Sequence, residues 1–499
     1  MLILPFLLFP INPYAVRQAP AGTEAHIRLT TAVGSYASRA GARVSAVLIA
    51  PVIVDGEAVL PAGSVVSGRV KRAAGVGLGI RHETAALDLE FNGVALPGGG
   101  PVALRARVTE VDNAREHVTR DGRIHGVRAT DSGSYRISGY IRDLLFRCEL
   151  HARIAEWIIK AALINLPEPE IYLPAGAELT LTLTDRLFLR FSDQEPVKRA
   201  LHDDAREAER EDLRRLAASM PGRTYTTAPE RPSDLTNLLL IGSRDQVAAA
   251  FAAAGWSAPL PLTFGRRVRW LRAIGLRRGL DSAPMSSLLV NGEPADISLE
   301  KGLNDVSKRH HIRLWKQDGD WGGQDLWIGA ATRDVDFGYL RPGRAFAHKI
   351  AADVDRERDK VAYDLAFTGC TNSLDWTGRA SVPRVTENAT GDAMTTDTRL
   401  AVVELNECRA PRLSTETIDT APVPIHGGKM AVFARREILS TRNDLLRNNW
   451  FWRGYEATRW MVEVLRPHVR TSSGLRSFLS SFRHSSLPAT PVQTAAIAR

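Results

Sequence analysis

The chain has 499 residues, 44% of them hydrophobic and 24% charged, which excludes an intrinsically disordered polymer and exceeds what one ordinary core encloses. Its 65 basic and 56 acidic residues leave a formal charge of +9. That excess is rich in arginine and spread along the chain, so by itself it singles out neither nucleic acid nor a membrane surface. Three cysteines are too few for a disulfide framework, and no CxxC spacing supports structural zinc.

The first nine residues read MLILPFLLF, an apolar run too short to span a bilayer as a helix. They are like the hydrophobic part of a secretory signal, without a positive start or a small-x-small cleavage site. The expectation is an exported protein with a signal-like segment over residues 1–19. The competing expectation is an apolar N-terminal strand.

Residues 20–192 read as β-rich. Residues 25–30 alternate with the period of a half-buried strand, and residues 44–54 form a longer β-branched run. Further strands are expected over 65–70, 86–94 and 102–111, the last two separated by the Pro97-Gly98-Gly99-Gly100 turn. A local duplication stands out: Leu60-Pro61-Ala62-Gly63 precedes one strand and Leu173-Pro174-Ala175-Gly176 another, over 178–183. In each, proline presets a turn and glycine supplies a positive φ. Gly75-Val76-Gly77-Leu78-Gly79 leads into a strand and so lacks the context of a nucleotide-binding loop.

With Gly22-Thr23, the Leu60–Gly63 corner, Gly68-Arg69-Val70 and the 171–183 segment, this region resembles the periplasmic β-barrel domain of TrbI-type conjugation and secretion proteins. The resemblance implies an extracytoplasmic scaffold without an active site. Within the region, residues 140–164 place Ile141, Leu144, Leu145, Cys148, Ile154, Trp157 and Ile158 at helical spacing. Interrupting arginines rule out a membrane span. A helix capping the barrel is expected there, with Cys148 a buried thiol.

Residues 196–220 predict a charged, exposed helix bridging two domains, supported by pairs such as Glu211 and Arg215 at i,i+4. A Pro/Gly-containing linker follows to residue 232. From 233 to 466 the pattern becomes α+β. Residues 237–241 read as a buried strand, and Ser243 with Gln246 forms a capping box opening a helix through 254, which Gly255 ends. Strands are expected over 287–290, 309–316, 326–331 and 400–405, with a helix over 353–366. The aromatic segment 447–455 has helical spacing, and residues 467–499 read as a tail. The fold class is therefore multidomain β plus α+β: an N-terminal β-barrel or sandwich-like domain, a helical bridge, and a C-terminal domain with a largely antiparallel sheet.

Asn237, Gly242-Ser243, Gly255-Trp256, the Arg309-His310-His311-Ile312-Arg313-Leu314-Trp315 strand, residues 327–334 and the 348–365 segment resemble the LssY carboxy-terminal domain. That resemblance implies a bacterial envelope setting and no particular reaction.

In an extended strand, Arg309, His311, Arg313 and Trp315 share one face, and His310, Ile312 and Leu314 the other. His310 is then expected as a hydrogen-bonded core histidine, and His311 with Arg313 on a polar face as the candidate catalytic pair. Arg309, His311, Arg313 and Arg333 are the candidate anion-binding set. Metal binding would need His348, Asp353, Asp355 or Asp325 to converge on His311, without any diagnostic spacing. The series Asp353, Asp355, Glu357, Asp359 suits helix capping and a solvated face. Residues 265–279 form a basic amphipathic stretch. Cys370 and Cys408 can pair if the protein is exported.

These readings lead to a non-enzymatic envelope adaptor or scaffold, periplasmic or membrane-peripheral, that binds an envelope protein, an anionic membrane surface or an anionic ligand. No cofactor, metal, nucleic acid or transmembrane helix is expected. The competing function is a hydrolase of a phosphorylated or anionic substrate using His311 and Arg313.

Overall fold

The computed structural model describes residues 14–78, 84–128, 169–192, 204–259, 287–305, 308–339 and 346–408, together with short helical stretches between 430 and 461. The chain divides into two compact units, Met1–Val432 and Phe433–Arg499. The signal-like run 1–9, the 140–164 helix with Cys148, the basic stretch 265–279 and the tail 467–499 lie outside the described residues. So does the 447–455 aromatic cluster, save Gly454.

Six strands near the N-terminus close on themselves: β1 (Glu24–Leu29), β2 (Arg43–Leu48), β3 (Val65–Ala74), β4 (Ala86–Ala95), β5 (Pro101–Val111) and β6 (Glu178–Leu183). Their order is β4-β3-β2-β1-β6-β5, and β5 pairs back onto β4, so the ring is an antiparallel barrel without free edges. Period-2 alternation builds it. In β5, Leu104, Ala106 and Val108 are buried while the residues between them are exposed. Ile27, Leu29, Leu87, Phe91 and Leu181 complete the interior, and each large aliphatic side chain so buried contributes about 1.5–3 kcal/mol.

The duplicated corners do the same job twice. Gly63 (φ +88°) donates its N–H to Leu48 O at 2.7 Å, and Gly176 (φ +94°) donates to Leu29 O at 2.7 Å. Ser64 N–H and Ala177 N–H close each turn onto Pro61 O and Pro174 O. The glycine sits in the left-handed position of a type II turn, where a Cβ is strained.

Three local expectations change. The 44–54 run is two strands, because the chain leaves the barrel after Leu48 and re-forms a hairpin of Val52–Val54 with Glu57–Leu60. Tyr14–Ala19 is a strand paired antiparallel with Leu187–Ser192, so a boundary at residue 20 falls at the end of a folded ribbon. Residues 220–232 are not an open linker: Arg223–Thr226 pairs with Pro232–Leu235 and with Leu288–Val290 in a four-stranded sheet.

The second sheet contains β7 (Leu238–Ile241), β8 (Ile297–Lys301), β9 (Arg309–Trp321), β10 (Gln324–Tyr339), β11 (Phe346–Ile350), β12 (Thr371–Gly378) and β13 (Arg399–Leu405). The order is β8-β9-β10-β7-β13-β12, with β11 on the far end of β10. All pairs are antiparallel except β7–β13. Both faces are covered. On one, α2 (Arg244–Ala253) and α3 (Val354–Thr368) pack Phe251, Val361 and Leu365 against Leu240, Ile312, Leu314 and Val403. On the other, Trp315, Ile328 and Val402 meet Leu288, Val290 and Ala217 of α1 (Asp204–Ser219). Double coverage explains the unbroken Leu-Leu-Leu-Ile of β7, all buried.

The charged helix α1 thus docks on the sheet through Leu213, Leu216 and Ala217. Among its described side chains, Glu211 pairs with Arg214 and Asp212 with Arg215, both at i,i+3, in place of the expected Glu211–Arg215. The capping box of α2 forms as read: Ser243 Oγ accepts from Gln246 N–H at 3.2 Å, and Gln246 Oε1 accepts from Ser243 N–H at 2.8 Å. Asp353 caps α3, which Gly369 (φ +78°) ends.

Candidate functional site

Barrel and sheet meet along β6, the end of β5, β9 and α3. Glu178 and Thr180 point outward from the barrel in the alternation of β6, yet both are buried, because the sheet module covers that side. Glu357, Lys360 and Asp364 recur at helical spacing on α3, beside the apolar stripe of Val361 and Leu365. Their side chains therefore face the barrel's charged residues.

Two linked ion clusters result. In the first, Lys301 Nζ reaches Glu178 Oε1 at 2.8 Å and Asp364 Oδ2 at 2.7 Å, while Lys360 Nζ reaches Glu178 Oε2 at 2.9 Å and Asp364 Oδ2 at 2.6 Å. Arg28 adds contacts of 2.8 Å to Glu178 and 3.5 Å to Asp364. Trp256 Nε1–H donates to Asp364 at 3.2 Å. Burial would raise both carboxyl pKa values. The surrounding Lys301, Lys360 and Arg28 outweigh it and hold Glu178 well below the ordinary carboxylate range, and Asp364 below it.

In the second cluster His310 lies between Asp112 Oδ2 and Glu357 Oε2, each at 2.7 Å. Burial opposes an imidazolium there, but the charges and hydrogen bonds of Asp112 and Glu357 win and raise its pKa to about 9. Arg333 continues the chain of charges to Glu110 at 2.6 Å and Asp112 at 2.8 Å. Asp112, despite burial, is held far below the usual range by His310 and Arg333. The expected core histidine is thus buried and hydrogen-bonded, as well as charged.

Above these clusters opens a cleft of about 660 Å³, walled by residues 49–53, β6, the end of β5 and α3. His26 lines it, with Nδ1 3.2 Å from Thr180 Oγ1 and its pKa lowered, chiefly by burial.

The residues singled out from the sequence sit elsewhere, with one exception. Arg309, His311 and Arg313 do share a face of β9, but that face is buried rather than open. Arg309 pairs with Glu300 at 2.8 Å and lies 3.8 Å from Asp334; Arg313 lies 3.7 Å from Asp234. His311 Nε2 is 2.5 Å from Asp334 Oδ2. Burial, aided by Arg309 and Arg313, outweighs Asp334 and lowers its pKa to about 4, so it is neutral near pH 7. The exception is Arg333. It pairs across the ladder with His310 and so falls on the opposite face, in the cleft wall. The four-residue anion set is therefore divided, and each of its arginines already faces a carboxylate.

The possible metal ligands also part company. Asp325 pairs with Lys316 at 2.8 Å, Asp353 caps α3, and Asp355 pairs with Arg358 at 3.1 Å. His348 lies in β11. Within the acidic series of α3, Glu357 is not solvated: its side chain is 3% exposed and committed to His310. Cys370 and Cys408 are joined by a disulfide, with Cα atoms 4.1 Å apart.

Sequence reasoning missed Asp112, Glu178, Lys301, Lys360 and Asp364. The available signal was weak: a lone glutamate opening the Glu-Leu-Thr-Leu-Thr-Leu strand, and an aspartate directly after β5. Nothing in either pattern reveals that another module will bury the outward face.

The architecture is a closed antiparallel barrel joined through buried charges to a two-faced α+β sheet. Residues 217–400 match the model of the family described as LssY C-terminus; the match covers the second sheet up to the start of β13 and bears out that resemblance. No curated protein matches the chain. Among solved structures, ComB10 of the Com type IV secretion system of Helicobacter pylori is similar at 11% identity and a TM-score of 0.20, covering 36% of this chain and 93% of that one.

Proposed function

We propose that the chain is a non-enzymatic adaptor of the cell envelope, in which the barrel and the LssY-type sheet act as one binding body. The observation that carries this reading is the pairing at the junction. His310 is held in its charged form between two carboxylates, and Lys301 and Lys360 each bridge the same two acids. Groups so committed fasten modules together; a general base or nucleophile needs a free lone pair facing a substrate. Export is supported by the Cys370–Cys408 disulfide, since such bonds persist in oxidising compartments. The envelope setting implied by the LssY and TrbI-type resemblances agrees. Among the described residues no helix is long and apolar enough to cross a membrane.

The test is fractionation of the untagged, natively expressed protein with a high-salt wash of the membranes. Recovery from the periplasm, or release from membranes by salt, is the expected result. A purely cytoplasmic pool overturns the envelope reading.

One observation favours the hydrolase reading: the neutral His311 bonded to Asp334 is a histidine–carboxylate pair of the kind that orients a general base. Turnover of a chromogenic phosphoester that is lost in His311→Gln, with the fold intact, would establish it in place of the adaptor.

A further inference from the structure

The cleft between barrel and sheet has a charge character opposite to that of the whole chain. Its lining holds eight carboxylates against three Lys or Arg and two His. Counting His310 as charged leaves four negative charges in excess along the walls, and two once Arg28 and Lys301 behind them are included. The chain as a whole carries +9. Low-dielectric walls with one sign of charge concentrate ions of the other sign.

A second observation is independent of that count. Glu357 lies in the cleft wall, and while its Oε2 bonds His310, its Oε1 is buried and accepts no hydrogen bond. A buried carboxylate oxygen left unsatisfied keeps its full desolvation penalty, so a donor brought to it is favoured. A third observation is the apolar shelf of residues 49–53. Ile49 and Val52 are buried, and Ile53 is 48% exposed where it lines the cleft. The volume lies within the range of small-ligand sites, roughly 300–1,000 Å³.

We infer that this cleft binds a cationic amine, an ammonium or guanidinium group carried on an aliphatic stem. Glu357 Oε1 is the buried acceptor for the donor N–H. Glu110 and Glu24 at the mouth attract the charge, and Ile53 with Val52 covers the stem. Two sources share this chemistry: a free polyamine, or the lysine or arginine side chain of a protein partner. An anionic ligand, by contrast, would meet net negative walls.

The test is calorimetric titration of the purified full-length chain with spermidine and, separately, with an N-acetylated, C-amidated trilysine peptide, each at low and high sodium chloride. Saturable one-to-one binding that weakens with salt is expected for at least one probe. The Glu24→Gln/Glu110→Gln double variant should weaken it at least fivefold while its circular dichroism stays unchanged and its melting drops only by the loss of the part-exposed Glu110–Arg333 pair. Glu357→Gln should abolish it, and the mouth variant decides the matter if Glu357→Gln does not fold. Tighter binding of spermidine identifies a small polyamine as the source, and tighter binding of the peptide a basic protein segment. Absence of binding by both probes at millimolar concentration overturns the inference, as does binding that the mouth variant leaves unchanged. The measurement is made on purified protein, so its failure leaves the compartment result untouched, and a cytoplasmic pool would not alter it.

Discussion

Alternate residues of β9 lead into two buried charge clusters that differ in what they join. Arg309, His311 and Arg313 meet Glu300, Asp334 and Asp234, all from the sheet module itself. His310, on the other face, meets Asp112 from the barrel, and Lys301 just beyond meets Glu178. Chemically the clusters are alike. The first stitches neighbouring strands of one module, whereas the second is the seam between two. The two histidines show the consequence: against the cost of burial, one barrel carboxylate and one helix carboxylate keep His310 charged, while burial, aided by two arginines, keeps His311 neutral.

The largest expected effect comes from breaking the seam. Glu178→Gln leaves Lys301, Lys360 and Arg28 sharing Asp364 alone, and removing one member of a buried ionic network costs about 3–5 kcal/mol. Calorimetric melting of this variant should resolve two transitions, barrel and sheet. Glu300→Gln should lose a similar stability as a single transition. Two transitions in both variants would show that the clusters do not differ in this way.

The histidines should respond to pH in opposite directions. His310 has a folded pKa raised to about 9 from 6.5, so the folded state binds its proton more tightly. Its contribution, on the order of 3 kcal/mol, is full below pH 6.5 and is lost as pH rises toward 9. His311 has a folded pKa lowered to about 4, so its neutral form is favoured by folding, and stability falls as pH drops from 6.5 toward 4. Urea unfolding across pH 4–9, repeated on His310→Gln and His311→Gln, separates the two. Each variant should flatten one limb of the profile and spare the other.

The smallest effect concerns the barrel alone. Gly176→Ala and Gly63→Ala each place a Cβ at a positive φ, costing about 1–2 kcal/mol. Equal losses in melting temperature would show that the two corners are equivalent. A larger loss at Gly176, two residues from Glu178, would show that strain there reaches the seam.

Much of the framework was legible. Strand periodicity located the barrel strands, the Pro-Ala-Gly corners were read with their turn chemistry, and Ser243, Gln246 and Gly255 marked the ends of α2 as they occur. The parity of β9 was legible too, with His310 and His311 on opposite faces. What misled was the equation of polar with exposed. Arg309, His311 and Arg313 looked like an open face because arginines usually reach water, yet Asp234, Glu300 and Asp334 pair with them inside. Glu357 looked like a solvated carboxylate for the same reason.

The local features are set by forces that act within a few residues: alternation of side chains across a pleat, a hydroxyl capping an N–H, a glycine at positive φ. The amino-acid sequence determined these by itself. Which charges would meet depended on contacts between residues far apart in the chain, Asp112 with His310 and Glu178 with Lys301 and Lys360. Only the packing of barrel against sheet decided them, because a charge's partner, and with it the proton it holds, is fixed by distance in space and by the water excluded around it.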